Sequence, residues 1–246
     1  MREATLPGAV LTIRGATKRF EGRTVLDGLD LSLDAGEVYA LLGPNGAGKT
    51  TTINLILGFL RADAGEVRVC GIDPGTAPVA ARAQAAYIPE QVALYPGHSG
   101  VENLRYLATL AGLRLSADAA RLRLDEAGLA REAQDRPASG YSKGMRQKVG
   151  IAVALARRAR LLLLDEPTSG LDPAASAEFS RTVRAAASRG TAVLMATHDL
   201  YRVREMADRV GVLRAGRLVE ELDPRRLDAV ALERLTLARL AGEAAP

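Results

Sequence analysis

The chain has no tryptophan, three phenylalanines, six tyrosines and a single cysteine in its 246 residues. One cysteine excludes an internal disulfide and fits a reducing compartment, and Cys70 reads as a small residue at a strand end. There are two histidines. His98, in a Pro-Gly-His-Ser-Gly loop, has no companions at metal-ligand spacing and reads as a solvated loop residue. Lysine occurs only at 18, 49, 143 and 148, the remaining basic residues being arginine. The net charge is +4, but bases and acids are interspersed. No block of like charge forms a nucleic-acid arm, so no nucleic acid is expected as partner. No run approaches the roughly 18 apolar residues of a membrane span. The longest, Val149 to Ala156, is broken by Gly150. The opening residues Met1 to Pro7 have no apolar signal core. A cytoplasmic chain is therefore expected, at a membrane only if a partner holds it there.

The remaining composition is ordinary for a globular protein, 48% hydrophobic and 25% charged, with length for one large domain or a domain with a subdomain. Period-2 patterns (Val10, Leu11, Ile13; Leu29, Leu31, Leu33) predict an antiparallel β region at the start. Glu66 to Cys70 reads as a further strand. From about Gly100 to Arg136 the apolar spacing turns helical, which predicts a small helical subdomain, set at about 92–157. Strands are expected at Leu161 to Leu164 and Ala192 to Met195, with helices after Ser142 and near Ala174 to Ser188. Val210 to Leu213 and Arg217 to Val219 flank Ala215-Gly216 as a hairpin, followed by a helix from Pro224 to Leu240, so that the C-terminal hairpin and helix occupy about 208–242. Strands alternating with helices give an α/β class: one domain over 1–246 around a mostly parallel sheet.

Residues 43–50, Gly-Pro-Asn-Gly-Ala-Gly-Lys-Thr, follow the apolar run Val38 to Leu42 and precede a helix expected from Thr50 to Leu57. A buried strand that breaks into a glycine-rich turn and then a helix aims successive backbone N–H groups at one point. The helix dipole adds positive potential there. Gly43, Gly46 and Gly48 permit torsions and close approaches that a Cβ would block. Lys49 can reach β- and γ-phosphates, and the Thr50 hydroxyl can ligate Mg²⁺. Pro44, Asn45, Ala47 and Thr51 complete the loop. A nucleoside triphosphate is the predicted ligand, on a P-loop NTPase core.

Four leucines then lead into Asp165-Glu166. A strand buried on both faces is continuously apolar, and its carboxylates emerge at the C-terminal edge, where ligands bind in open α/β sheets. Asp165 is expected to hold Mg²⁺, directly or through water. Glu166 is placed to take a proton from, or orient, a water attacking the γ-phosphorus. Cradle, metal acid and base together predict hydrolysis.

Further motifs follow in order: Tyr141-Ser142-Lys143-Gly144-Met145-Arg146-Gln147, Asp165 through Pro173, and Ala196-Thr197-His198-Asp199. With Gly43 to Thr51, these make the chain resemble the ATP-binding subunits of ABC transporters across essentially its whole length. Tyr-Ser-Lys-Gly-Met and Tyr87-Ile88-Pro89-Glu90-Gln91 resemble the branch that powers exporters of drugs, lipids, polysaccharides or antibiotics, or serves copper-site maturation and gliding. The resemblance implies ATP and Mg²⁺ as cofactors and a head-to-tail pair of subunits closing on two ATP molecules. It also implies a separate integral membrane permease and residence at the cytoplasmic face of the membrane. It assigns Ser142 and Gly144 to the γ-phosphate of the opposite subunit, which suits a serine capping a helix N-terminus. It assigns Asp172 to the loop meeting the partner chain, His198 to the γ-phosphate and Phe20 to stacking on adenine. Val92 to Pro96 is the expected contact with the membrane subunit.

Two places, covering three residues, depart from the family pattern. Lys143 and Met145 stand where the signature has its first glycine and its glutamine, and Lys143 either adds a cation near the γ-phosphate or points to solvent. Glu90 occupies the place of a metal- and water-sensing glutamine, with Gln91 beside it, so either residue is a candidate for that role. Soluble relatives in DNA maintenance or translation carry coiled coil or two such domains, and neither pattern is present. A catalytically silent ATP-binding regulator is the remaining alternative, and intact Lys49, Asp165, Glu166 and His198 argue against it.

Overall fold

The computed structural model describes residues 9–241. Residues 1–7, read above for a signal core, and Gly242, at the end of the expected C-terminal unit, lie outside them. The chain runs β1 (Ala9–Phe20), β2 (Arg23–Asp34), β3 (Val38–Leu42), α1 (Lys49–Ile56), β4 (Ala64–Val69), α2 (Pro78–Gln84) and β5 (Ala85–Ile88). There follow α3 (Gly100–Leu110), α4 (Ala117–Glu126), α5 (Arg131–Gln134), α6 (Lys143–Ala156), β6 (Leu161–Asp165) and α7 (Pro173–Ser188). The chain continues through β7 (Ala192–Thr197), α8 (Leu200–Met206), β8 (Arg209–Arg214), β9 (Arg217–Leu222) and α9 (Ala229–Ala241).

Two sheets result. The first is antiparallel, in the order β2-β1-β4. The second has the order β5-β6-β7-β3-β8-β9, parallel throughout except for β9. The parallel strands are short and continuously apolar because both faces are covered. In β3 and β6, Ala40, Leu42, Leu162 and Leu164 enter a core shared with α3, α4, α6 and α7. Tyr39, Leu41, Leu161 and Leu163 enter a second core against α1 and the antiparallel sheet.

The register sets up the site. Leu42 pairs with Thr197, Asp165 with Ala196 and Ile88 with Leu164. The C-terminal ends of β3, β5, β6 and β7 therefore finish side by side on one edge of the sheet. The segments that follow these strands carry the phosphate loop, Glu90, Glu166 and His198.

The described tail differs from the expected helix over 224–240. Pro224–Arg226 forms a single 3₁₀ turn, Leu227 returns to an extended conformation, and α9 begins only at Ala229. Proline fixes its own φ but cannot carry a helix through an extended residue. Three elements have no counterpart in the expected pattern. The α2–β5 pair lies in an alanine-rich stretch without a glycine or proline between helix and strand, and α8 is only seven residues long.

Candidate functional site

The loop after β3 folds tightly against the rest of the chain. A Cβ on Gly43 would lie 2.5 Å from the Leu213 carbonyl oxygen. Gly48 has φ +112° and would place a Cβ 2.7 Å from Leu26. Both positions need glycine, one for close approach and one for backbone torsion as well. Gly48 caps α1 without help from a side chain, so backbone N–H groups of the first turn remain available to an anion.

Lys49 is 6% exposed. Its Nζ donates to the Gly43 carbonyl at 2.6 Å and the Pro44 carbonyl at 3.3 Å, and lies 3.4 Å from Glu166 Oε1. The ammonium is thus held over the loop by the carbonyls of the loop itself. Glu166 follows β6 with φ +45°, a left-handed conformation that costs a residue bearing a Cβ about 1–3 kcal/mol and concentrates at functional sites. Its backbone N–H donates to Ala196 at 2.8 Å, which fixes the turn to β7. Oε2 lies 2.9 Å from His198 Nδ1 and accepts from Thr197 Oγ1 at 3.2 Å and the His198 N–H at 3.3 Å. One oxygen of Glu166 therefore faces the lysine and the other the histidine.

Asp165 is half-buried, and burial pushes its carboxyl above the usual range, with the Glu166 charge acting in the same direction. A hydrogen bond donated by the Tyr87 hydroxyl at 3.3 Å opposes this. The Tyr87 phenol is itself pushed up to about 12, mainly by burial. A raised carboxyl favours the protonated form in the fold. The associated stability is present at acid pH and is lost as pH rises through the raised value. Asp165→Asn removes the charge, so the variant is expected to melt about 1–3 °C above wild type at pH 7.5 without nucleotide. The gap should narrow as pH falls through the raised value; melting curves across an acid pH series check it.

A shallow cavity of about 280 Å³ lies at this strand edge. Its lining includes Pro44, Asn45, Gly46, Gly48, Lys49, Thr50, Thr51, Glu90, Asp165 and Glu166. Gly43 and Ala47 are buried beneath the loop, and His198 reaches the cavity's wall through Glu166. Of the two neighbouring candidates, Glu90 faces this cavity and Gln91 lines a different one. Lys143 does not extend into solvent. Its Nζ donates to the Ser169 carbonyl at 2.6 Å and lies 3.4 Å from Glu90 Oε1.

The other expected site residues lie apart from the cavity. Ser142 caps α6, its hydroxyl accepting from the Met145 N–H at 3.3 Å. A Cβ on the buried Gly144 would make only ordinary contacts with Leu171 and Ala175. Asp172 caps α7, accepting from the Ala175 N–H at 2.9 Å. Phe20 does not line the cavity. It stands 41% exposed at the end of β1, with Lys18 Nζ 5.5 Å from its ring centre. An accessible face remains, so Phe20 is not a core packer.

Thr197 and Tyr87 stand in motifs quoted above without an expected role at the site. Thr197 is buried at the end of β7, and a polar side chain closing an apolar strand was a usable signal. Tyr87 could be placed only once β5 had been paired with β6.

A second, larger cavity of about 570 Å³ runs along the edge strand β5, between Leu57, Phe59 and Arg82 on one side and Leu107, Leu110 and Val153 on the other. Phe59 and Leu110 are 62% and 69% exposed. Of the loop after Glu90, Val92 and Leu94 pack half-buried against the core, while Ala93 and Tyr95 are exposed.

Comparison with known proteins places residues 26–169 in a match to the ABC transporter family. The chain is 39% identical over 220 residues to the daunorubicin/doxorubicin resistance ATP-binding protein DrrA of Streptomyces peucetius, covering 88% of this chain and 66% of that one. It is 35% identical to the Nod factor export ATP-binding protein I of Burkholderia lata, over 90% of this chain and 73% of that one. The chain thus spans about two thirds of the length of these curated relatives. A solved ATP-binding subunit of an ABC transporter superposes with a TM-score of 0.77 at 30% identity, covering 94% of this chain and 98% of the other.

Proposed function

The chain belongs to the ABC transporter family, among its ATP-binding subunits, and on that premise we propose that it is the motor of an exporter. It binds ATP, closes head to tail on a second copy, hydrolyses the nucleotide and so drives a separate integral membrane permease. The observation that supports this best is the meeting of Lys49, Asp165, Glu166 and His198 at one sheet edge beside a glycine loop.

Each side chain has a task that its surroundings suit. The loop N–H groups and Lys49 bind the β- and γ-phosphates. Glu166, anchored by Thr197 and His198, takes the proton of the attacking water. His198 turns Nδ1 toward Glu166, so Nε2 is left for a phosphate oxygen.

The donor set also fits Mg²⁺. Among the described residues no group of three or more His, Cys, Asp or Glu could form a cage for a metal. Hard oxygens from one carboxylate and one hydroxyl, completed by phosphate and water, are what Mg²⁺ accepts. Asp165 and Thr50 would hold it, and the ion would neutralise charge on the phosphate oxygens. Glu90 stands at the cavity as the metal- and water-sensing position, in preference to Gln91.

The second copy accounts for the residues set apart from the cavity. Ser142 and Gly144 present the N-terminus of α6, and Asp172 that of α7, to a partner's phosphates and loop. Phe20 offers its open face to adenine. Gly144 fits this role because packing within the chain does not demand a glycine there.

Among the described residues no helix is long and apolar enough to cross a membrane. In the proposed arrangement the chain works at the cytoplasmic face, held there by the permease. The groove along β5, with Phe59 and Leu110 exposed, is the docking place for an apolar cytoplasmic segment of that permease. Export, rather than import, follows the relatives' drug-resistance and Nod-factor-export roles.

The test is purification of the chain with its permease and reconstitution in vesicles. ATP-dependent substrate movement is expected, and its absence would end the motor reading. Leu110→Glu should lose the permease on co-purification from membranes while retaining ATP affinity within about twofold. Wild-type recovery of the permease would move the docking site elsewhere.

A further inference from the structure

Tyr87 lies between the two cavities. It is the third residue of β5 and pairs with Leu163 of β6. Because side chains alternate across a sheet, Tyr87 shares a face with Leu163, and so with Asp165 two residues further on. Its neighbours Ala86 and Ile88 point the other way, into the core beneath α6. The phenol can therefore cross diagonally to Asp165 Oδ2, which it meets at 3.3 Å. The ring meanwhile lines the groove along the sheet edge and is 38% exposed.

We propose that Tyr87 is a positioning residue that fixes the Asp165 carboxylate for its cation and lets an occupant of the groove bias that carboxylate. The inference rests on the reading above, in which Asp165 holds Mg²⁺. A phenol donating to one carboxylate oxygen restricts the rotation of the group, and the other oxygen would remain free for the cation. Outer partners of this kind typically govern metal affinity by 10–100-fold. Pressure on the exposed flank of the ring moves the hydroxyl, and the carboxylate follows. Leu163, the cross-strand neighbour, has no polar group with which to replace the contact.

The experiment uses the full chain with Tyr87→Phe, which keeps the ring and removes only the hydroxyl. Affinity for a fluorescent ATP analogue is measured in EDTA and across a Mg²⁺ titration. The EDTA affinity is expected to match wild type, while half-saturating Mg²⁺ rises about tenfold. Coincident Mg²⁺ curves would overturn the proposal, since a ring that merely packs is intact in the variant. Asp165→Asn serves as the control. If it also leaves the wild-type curve unmoved, the metal assignment itself fails and the inference falls with it. Adding the purified permease should shift half-saturating Mg²⁺ in wild type but not in Tyr87→Phe. Equal shifts in both would refute the link to the groove.

Discussion

Glu166→Gln should leave a chain that binds ATP and hydrolyses it about 10³-fold more slowly, within the range that a general base supplies. Glutamine preserves the size of the side chain and can still accept from Thr197 and the His198 N–H. What it loses is the charge that pairs with Lys49 and the basicity that removes a proton from water. The same loss takes a negative charge away from the place where the γ-phosphate binds, so ATP is held at least as tightly as in wild type. Binding kept and hydrolysis removed should make the ATP-bound pair of subunits accumulate. Light scattering in saturating Mg-ATP is expected to report a dimer for Glu166→Gln. A monomer under those conditions would contradict the shared-nucleotide arrangement, and a hydrolysis rate within about threefold of wild type would remove Glu166 from the role of base.

Lys49→Ala should act one step earlier, on binding. The ammonium is buried, donates to two loop carbonyls and approaches Glu166. Charge-assisted hydrogen bonds to an anion contribute about 1.5–3 kcal/mol each, so affinity for ATP is expected to fall about 10²-fold. Two further effects add to this loss. The loop gives up its clamp, and the mostly buried Glu166 carboxylate then stands without its cation at the edge of an anion site. Lys49→Met retains the apolar stem and separates the effects: it restores packing beneath the loop without restoring the charge. Titration with a fluorescent nucleotide, beside melting curves for both variants, checks the expectation. Affinity for Lys49→Ala within about threefold of wild type would show that the backbone alone makes the phosphate site.

Much of this site could be read in the chain because the motifs that build it are local. A phosphate loop needs a strand, a glycine turn and a helix in immediate succession, and residues 38–56 supply them without interruption. Leu161 to Glu166 is equally self-contained, since a doubly buried strand must be apolar and its end must carry the polar groups. The contacts between distant segments were not legible in the same way. Nothing near residue 143 indicates that Lys143 would turn back to the Ser169 carbonyl and Glu90. Nothing near residue 87 indicates an aspartate 78 positions away. Both depend on the order in which parallel strands are laid down, and β5 had no sequence boundary to announce it. The tail was misread for a local reason: the leucine spacing is helical, but the extended Leu227 interrupts it before α9 begins.

The left-handed backbone of Glu166 also matters for anyone trying to make this protein hardier. Glycine would relax that torsion, and a neutral residue at position 165 would lift the penalty of its half-buried carboxylate. A library screened only for survival on heating should therefore drift toward changes at these two adjacent positions and return sturdier proteins that no longer split nucleotide. Robustness and turnover compete at one strand end, so any such screen needs a selection for hydrolysis running beside it.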